Sequence, residues 1–183
     1  MRASVRLGHV SLRSEIVVLA FGLGAAVASA QGAGAGPPAL KDQFGKPDSL
    51  AAHRGRPVIA LVVDPDHLRQ AKSFELDLRQ RFDGLDFIRV VQIPQQPGIR
   101  PEGVARKLRA KVSQDVSVLI DEDNVWASVY GLETHEASVL LFDRESRMLA
   151  RFEGRYEPGV VERISAEIES GLGLVRQPPT PAN

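Results

Sequence analysis

The stretch Pro57–Ala71, PVIALVVDPDHLRQA, changes character halfway along. Pro57 to Val63 is a short apolar run rich in β-branched residues, which suits a strand buried on both faces. Asp64-Pro65-Asp66 ends it. Asp66 fits a helix N-cap, and Leu68, Ala71, Phe74, Leu78 and Phe82 follow at helical spacing. Asp83-Gly84 closes that helix, and Leu85 to Ile93 (LDFIRVVQI) alternates as a second strand. Pro94 to Gly98 is a loop. Pro101 opens a helix carrying Val104, Leu108 and Val112. Val116 to Ile120 is a third short strand, and Asp121 to Asn124 turns into a short helix closed by Gly131. Ser138 to Phe142 and Met148 to Glu153 form a hairpin around Asp143 to Arg147. Pro158 starts a last helix with Val160, Val161, Ile164, Ile168 and Leu172 on one face. The order β-α-β-α-β-α-β-β-α predicts an α/β domain. Its central mixed sheet combines parallel strands with a C-terminal hairpin and carries helices on both faces.

Composition narrows the chemistry. Of 183 residues, 43% are hydrophobic and 25% charged, as in an ordinary globular domain. Lys+Arg and Asp+Glu are both 23, a formal charge of zero, which argues against nucleic acid as a partner. The cysteine count is zero. That excludes disulfides, thiolate nucleophiles, thiol redox centres, iron–sulfur clusters and cysteine zinc sites.

The N-terminus reads as an export signal. Arg2, Arg6 and Arg13 precede an apolar run from Ile16 to Val27, and Ala28-Ser29-Ala30 supplies small residues for cleavage before Gln31. Counted to Ala30 the run is 15 residues, short of the roughly 20 a spanning helix needs. A Sec-type signal over residues 1–30, cleaved near Ala30, implies a periplasmic or secreted protein with no stable transmembrane segment afterwards. Cleavage would leave 153 residues and a net charge of −2. Residues 31–38 then form a flexible lead-in, 39–175 the folded domain, and 176–183 a disordered tail.

Local wording adds a resemblance. Leu40-Lys41-Asp42-Gln43-Phe44-Gly45, with Ser49-Leu50 and Arg54-Gly55-Arg56-Pro57-Val58, resembles the opening of redoxin-type proteins. Tyr130-Gly131-Leu132, Ser138 to Asp143 and Phe152-Glu153-Gly154 resemble a later section of the same group. The group spans peroxiredoxin-like, TlpA-like and Sco-like members of the thioredoxin-like superfamily. The resemblance implies their fold over about Leu40 to Leu172, and the departures fall on the chemistry. Redoxins carry a reactive cysteine, often as C-x-x-C, where the first core strand meets the next helix. Here that place reads Asp64-Pro65-Asp66-His67-Leu68-Arg69-Gln70, so Asp66, His67 and Gln70 occupy a degenerate active site. Redoxins also carry a cis-proline before the strand near Ser138, where this chain has Glu136 and Ala137. A cis bond there would cost roughly 3 kcal/mol, so a trans loop is expected. Thiol exchange needs a thiolate, and no other side chain replaces it.

Other groups could still carry chemistry. Sco-type proteins bind copper through two cysteines and a histidine about eight residues before the acidic turn position. His135 lies eight residues before Asp143, and His67 stands near the first Sco cysteine. His67 and His135, helped by Asp64, Asp66 or Glu136, would suit a divalent Cu or Zn ion; the plain alternative is two solvated loop histidines. His53 reads as a surface polar residue, and Asp121-Glu122-Asp123 as a solvated turn. The basic cluster Arg100, Arg106, Lys107, Arg109 and Lys111 leaves one helix face positive, either a soluble outer face or a dock for an acidic partner or anionic head groups. Trp126 and Tyr130 share a helix face as packing residues. The expectation is an exported, redox-inactive binding or scaffold module of the cell envelope. It would need no cofactor and would take an envelope protein or peptide at the former active-site groove. The alternatives are a metal-binding protein using His67 and His135, or a redoxin whose thiol–disulfide or peroxide role survives without cysteine. No catalytic residue is assigned.

Overall fold

A computed structural model of the chain describes residues 36–133 and 136–178. Its strands are β1 (Leu40–Asp42), β2 (Pro47–Asp48), β3 (Val58–Val63), β4 (Asp86–Gln92), β5 (Leu119–Asp121), β6 (Ser138–Phe142) and β7 (Met148–Glu153). The helices are α1 (Leu68–Arg81), α2 (Pro101–Lys111), α3 (Val125–Tyr130) and α4 (Pro158–Leu172), with a 3-10 turn at Leu50–His53 before β3. All seven strands join one sheet in the order β2-β1-β5-β4-β3-β6-β7. β3, β4 and β5 run parallel, and the other pairings are antiparallel. This is the expected α/β order, preceded by a small N-terminal hairpin.

The sheet is covered on both faces because β3 is apolar at every position. Ile59, Leu61 and Val63 point to the side where α1 and α4 lie, packing with Phe74, Leu78, Ile164 and Ile168. Val58, Ala60 and Val62 point to the other side, against Leu50, Trp126, Leu140 and Phe142. Each fully buried Val, Leu, Ile or Phe among them contributes about 1.5–3 kcal/mol relative to exposure. On the second face Trp126, Tyr130 and Phe142 form an aromatic cluster with ring centroids 5.4–6.4 Å apart.

Four differences from the sequence expectation have physical causes. First, β1 and β2 are too short to show a period-two signature; β1 forms by pairing with β5, and β2 by pairing with β1. Second, the third core strand covers Leu119–Asp121 rather than Val116–Ile120. The Gln43 amide takes over the missing part: its Nε2 donates to the carbonyl of Val116 (2.7 Å) and its Oε1 accepts the N–H of Val118 (2.8 Å). Third, Asp121 is not in a solvated turn. It is 0% exposed, and its carboxylate accepts the N–H groups of Val125 and Trp126, both at 2.8 Å. Fourth, His53 is not a plain surface residue. Its Nδ1 lies 2.9 Å from Asp86 and its Nε2 3.2 Å from Asp48, bracing the 3-10 turn against the start of β4.

A charged cluster that hydropathy hides also ties α1 to the sheet. Glu75 is buried on α1. It binds Arg79 at 2.7 Å and Arg89 of β4 at 2.6 Å, and the Arg79 guanidinium lies 4.3 Å over the Phe87 ring. After α4 the chain stays attached, with Arg176 on Glu162 and Glu169 and the Gln177 N–H on the carbonyl of Arg81 (2.7 Å). The sheet's two rims differ: β2 is two residues long and begins with Pro47, whereas β7 is six residues long.

Candidate functional site at the start of the first core helix

β3 delivers the chain to the end of the sheet, and Asp64 turns it there. Asp64 Oδ1 accepts the backbone N–H groups of Asp66 (2.8 Å) and His67 (3.0 Å). The carboxylate closing this turn is therefore that of Asp64, not the expected Asp66, whose side chain is exposed. With its N–H bound to Asp64, His67 becomes the capping residue and α1 begins at Leu68. Nδ1 of His67 also lies 2.9 Å from Asp64 Oδ1, at an angle that makes no directed hydrogen bond. It is an ion-pair contact whenever the imidazole is protonated.

Gln70 follows one turn later, its N–H bonded to the His67 carbonyl at 2.9 Å. Its Oε1 accepts the N–H of Tyr156 (3.1 Å), tying α1 to the loop before α4. The Tyr156 hydroxyl donates to Asp77 (2.9 Å), and its ring meets Phe74 edge-on at 5.3 Å. The hydrogen bond to the Asp77 carboxylate, together with partial burial and that negative charge, raises the Tyr156 phenol above its ordinary value. Ala137 is buried just before β6, and its carbonyl accepts the Gly154 N–H at 3.0 Å. No peptide bond among the described residues is cis.

His135 lies outside the described residues, so its distance from His67 is not part of this geometry. Among the described residues, no group of three or more His, Cys, Asp or Glu side chains is placed to hold a metal ion. No described helix is long and apolar enough to cross a membrane.

A groove of about 830 Å³ opens beside this turn, between the start of α1 and α2. Asp66 and Leu68 line one side, and Val104, Lys107, Leu108 and Lys111 of α2 line the other. Four of the five residues of the basic cluster border it: Arg100, Arg106, Lys107 and Lys111. Arg109 is used elsewhere, donating to the carbonyl of Gln43 (2.6 Å). The sequence showed the charges but not the groove, because its two walls are about forty residues apart in the chain.

No model of a known protein family matches the sequence, and no curated protein does. Solved structures do resemble the fold. The exposed lipoprotein thioredoxin Etrx1 of Streptococcus pneumoniae superposes with a TM-score of 0.59 at 15% identity, covering 72% of this chain and 99% of its own. A secreted Mycobacterium tuberculosis disulfide oxidoreductase, homologous to Escherichia coli DsbE, gives 0.52 at 12% identity, covering 73% and 96%. BsSco, from the Sco family of cytochrome c oxidase assembly proteins, gives 0.53 at 15% identity, covering 75% and 92%. With the β-α-β-α-β-α-β-β-α core in place, this protein has the thioredoxin-like fold, and its sequence contains no cysteine.

Proposed function

We propose that this protein is an exported, redox-inactive binding module of the cell envelope, which takes a polypeptide partner at the groove beside the start of α1. One observation carries this reading. The position where redoxins keep their thiols is a backbone turn closed by the Asp64 carboxylate, with Gln70 bracing Tyr156, and a groove opens directly next to it. Attack on a disulfide or a peroxide by the redoxin route needs a thiolate, and the chain has no cysteine to supply one. The basic, apolar and small-residue order of residues 1–30 supports export. The printed descriptions "exposed lipoprotein" and "secreted" among the structural neighbours support it too.

The test has three arms. Cells expressing the full chain are fractionated, and the mature N-terminus is sequenced; Gln31 is expected, in the envelope or medium. A photo-crosslinking residue replaces Asp66 in one variant and the exposed Ser170 of α4 in another. A discrete adduct is expected from position 66 and none from 170. The purified protein is assayed for insulin reduction and peroxide consumption, with no activity above buffer expected. A cytoplasmic full-length protein, equal adducts from both positions, or thiol-type turnover by this cysteine-free chain would overturn the proposal.

A further inference from the structure

We infer that the groove between α1 and α2 selects an acidic, extended polypeptide segment, about five residues long, with an apolar side chain among its carboxylates. This rests on the binding-module reading above and adds the chemistry of the partner.

The charge is concentrated where the groove is. Arg100, Arg106, Lys107 and Lys111 are all exposed and all border it. None of the four makes an ion pair among the described residues; other exposed cations such as Arg69, Arg144 and Arg163 share that state, but these four border one groove. Glu102 and Asp66 also border the groove, leaving a cationic excess of two. Lys107 and Lys111 are four residues apart and share one stripe of α2, and Arg100 stands at the N-cap of the same helix. Eleven residue steps at about 1.5 Å span roughly 16 Å, which an extended chain covers in about five residues.

The interior between those charges is apolar. Leu68 and Ile99 line it, with the buried Val104 and Leu108 at its floor. A free anion would use the cations and waste this surface; a segment with one apolar side chain between Asp or Glu residues uses both. The groove is concave, so a bilayer surface could reach its rim but not its floor. The chain's own remaining segments are poor occupants: residues 1–35 hold a single carboxylate side chain against three arginines, and residues 179–183 hold none.

The test uses a fluorescently labelled seven-residue peptide with four carboxylates around one leucine, and the same peptide with amides in place of the carboxylates. Binding to the purified protein is read by anisotropy. The acidic peptide is expected to bind and the amide form to bind at least tenfold more weakly. Raising salt should weaken binding, because these charges are exposed. A Lys107→Glu/Lys111→Glu variant should lose about tenfold or more, as expected when two exposed cations become repulsive. Arg155→Glu, on an exposed residue outside the groove, should change nothing. A circular dichroism melt matching wild type confirms that the double variant is folded. Equal binding of both peptides, or no loss in the double variant, overturns the inference. So do sedimentation with phosphatidylglycerol vesicles without peptide binding, and a dimer that the double variant abolishes. Crosslinks from position 66 that persist while the acidic peptide fails would refute this charge selection and leave the binding-module reading standing.

Discussion

Replacing Asp121 tests how a six-residue helix is held in place. α3 is too short to persist by itself, since isolated helices below about 12 residues are marginal in water. Two things fix it: Trp126 buried in the second core, and the Asp121 carboxylate accepting the N–H groups of Val125 and Trp126 at 2.8 Å. Asp121→Ala strands both donors. The Trp126 N–H is buried, and an unsatisfied buried donor costs about 1–3 kcal/mol. Loss of a helix-capping acceptor typically costs about 1 kcal/mol. Removing a buried carboxylate returns part of this, so the expected net loss is about 2–3 kcal/mol. For a domain of this size that is a fall of about 5–10 °C in Tm. Asp121→Asn keeps one oxygen and should lose about half as much. Urea unfolding followed by fluorescence is a direct assay, because Trp126 is the single tryptophan.

The pH dependence supplies a sign. Burial outweighs the two N–H bonds and raises the Asp121 carboxyl above its ordinary 3.8. The folded state therefore holds that proton more readily than the unfolded chain. The advantage of wild type over Asp121→Asn should be largest below about pH 4 and shrink as pH rises through the raised pKa. An Asp121→Ala protein within about 0.5 kcal/mol of wild type, or a gap that widens with rising pH, would show that this carboxylate does not hold α3.

Three further outcomes are expected. Burial alone would lower the His53 pKa, but its hydrogen bonds to Asp86 and Asp48 and their charges outweigh that and raise it. Its contribution should thus be complete below pH 6.5 and fade as pH rises through the folded pKa, so that His53→Ala costs more at about pH 5.5 than at pH 8.5 in paired chemical denaturation. Phe74 is 0% exposed between α1 and the sheet, and Phe74→Ala should cost about 3–5 kcal/mol in the same assay; a loss under about 1 kcal/mol would contradict the packing. A His67→Cys/Gln70→Cys variant restores the redoxin spacing across the first turn of α1. It should form an internal disulfide, seen by protection from a thiol-reactive polymer, with one thiol acidified by the helix N-terminus. Failure to oxidise would mean that this turn does not have redoxin geometry.

Much of the fold is legible in local pattern. β3 is unbroken Val, Ile, Ala and Leu, and α4 repeats its apolar residues with helical period, so both can be read without knowing what covers them. The features that escape are those whose cause lies elsewhere in the chain. Asp121 looks like one member of an acidic turn; only the seating of Trp126 shows that its carboxylate is inside. In the sequence Gln43 stands only within a redoxin-like opening, yet it is 1% exposed because it stands in for the missing start of β5. At the candidate site the absence of thiols is plain from composition. The geometry of the turn is not, because it depends on which of two aspartates, Asp64 or Asp66, faces the backbone.

The unequal rims of the sheet bear on how copies of this molecule could associate. Open-ended stacking of sheets needs two pairing edges on each molecule, one to accept a neighbour and one to offer to the next. β2 supplies almost none: it has two residues, and Pro47 has no N–H to give. Of the two edge strands among the described residues, β7 is the one long enough to pair. A molecule with a single usable edge can meet one copy of itself, edge to edge, and the pair is then closed. Growth into fibres by strand addition stops at two.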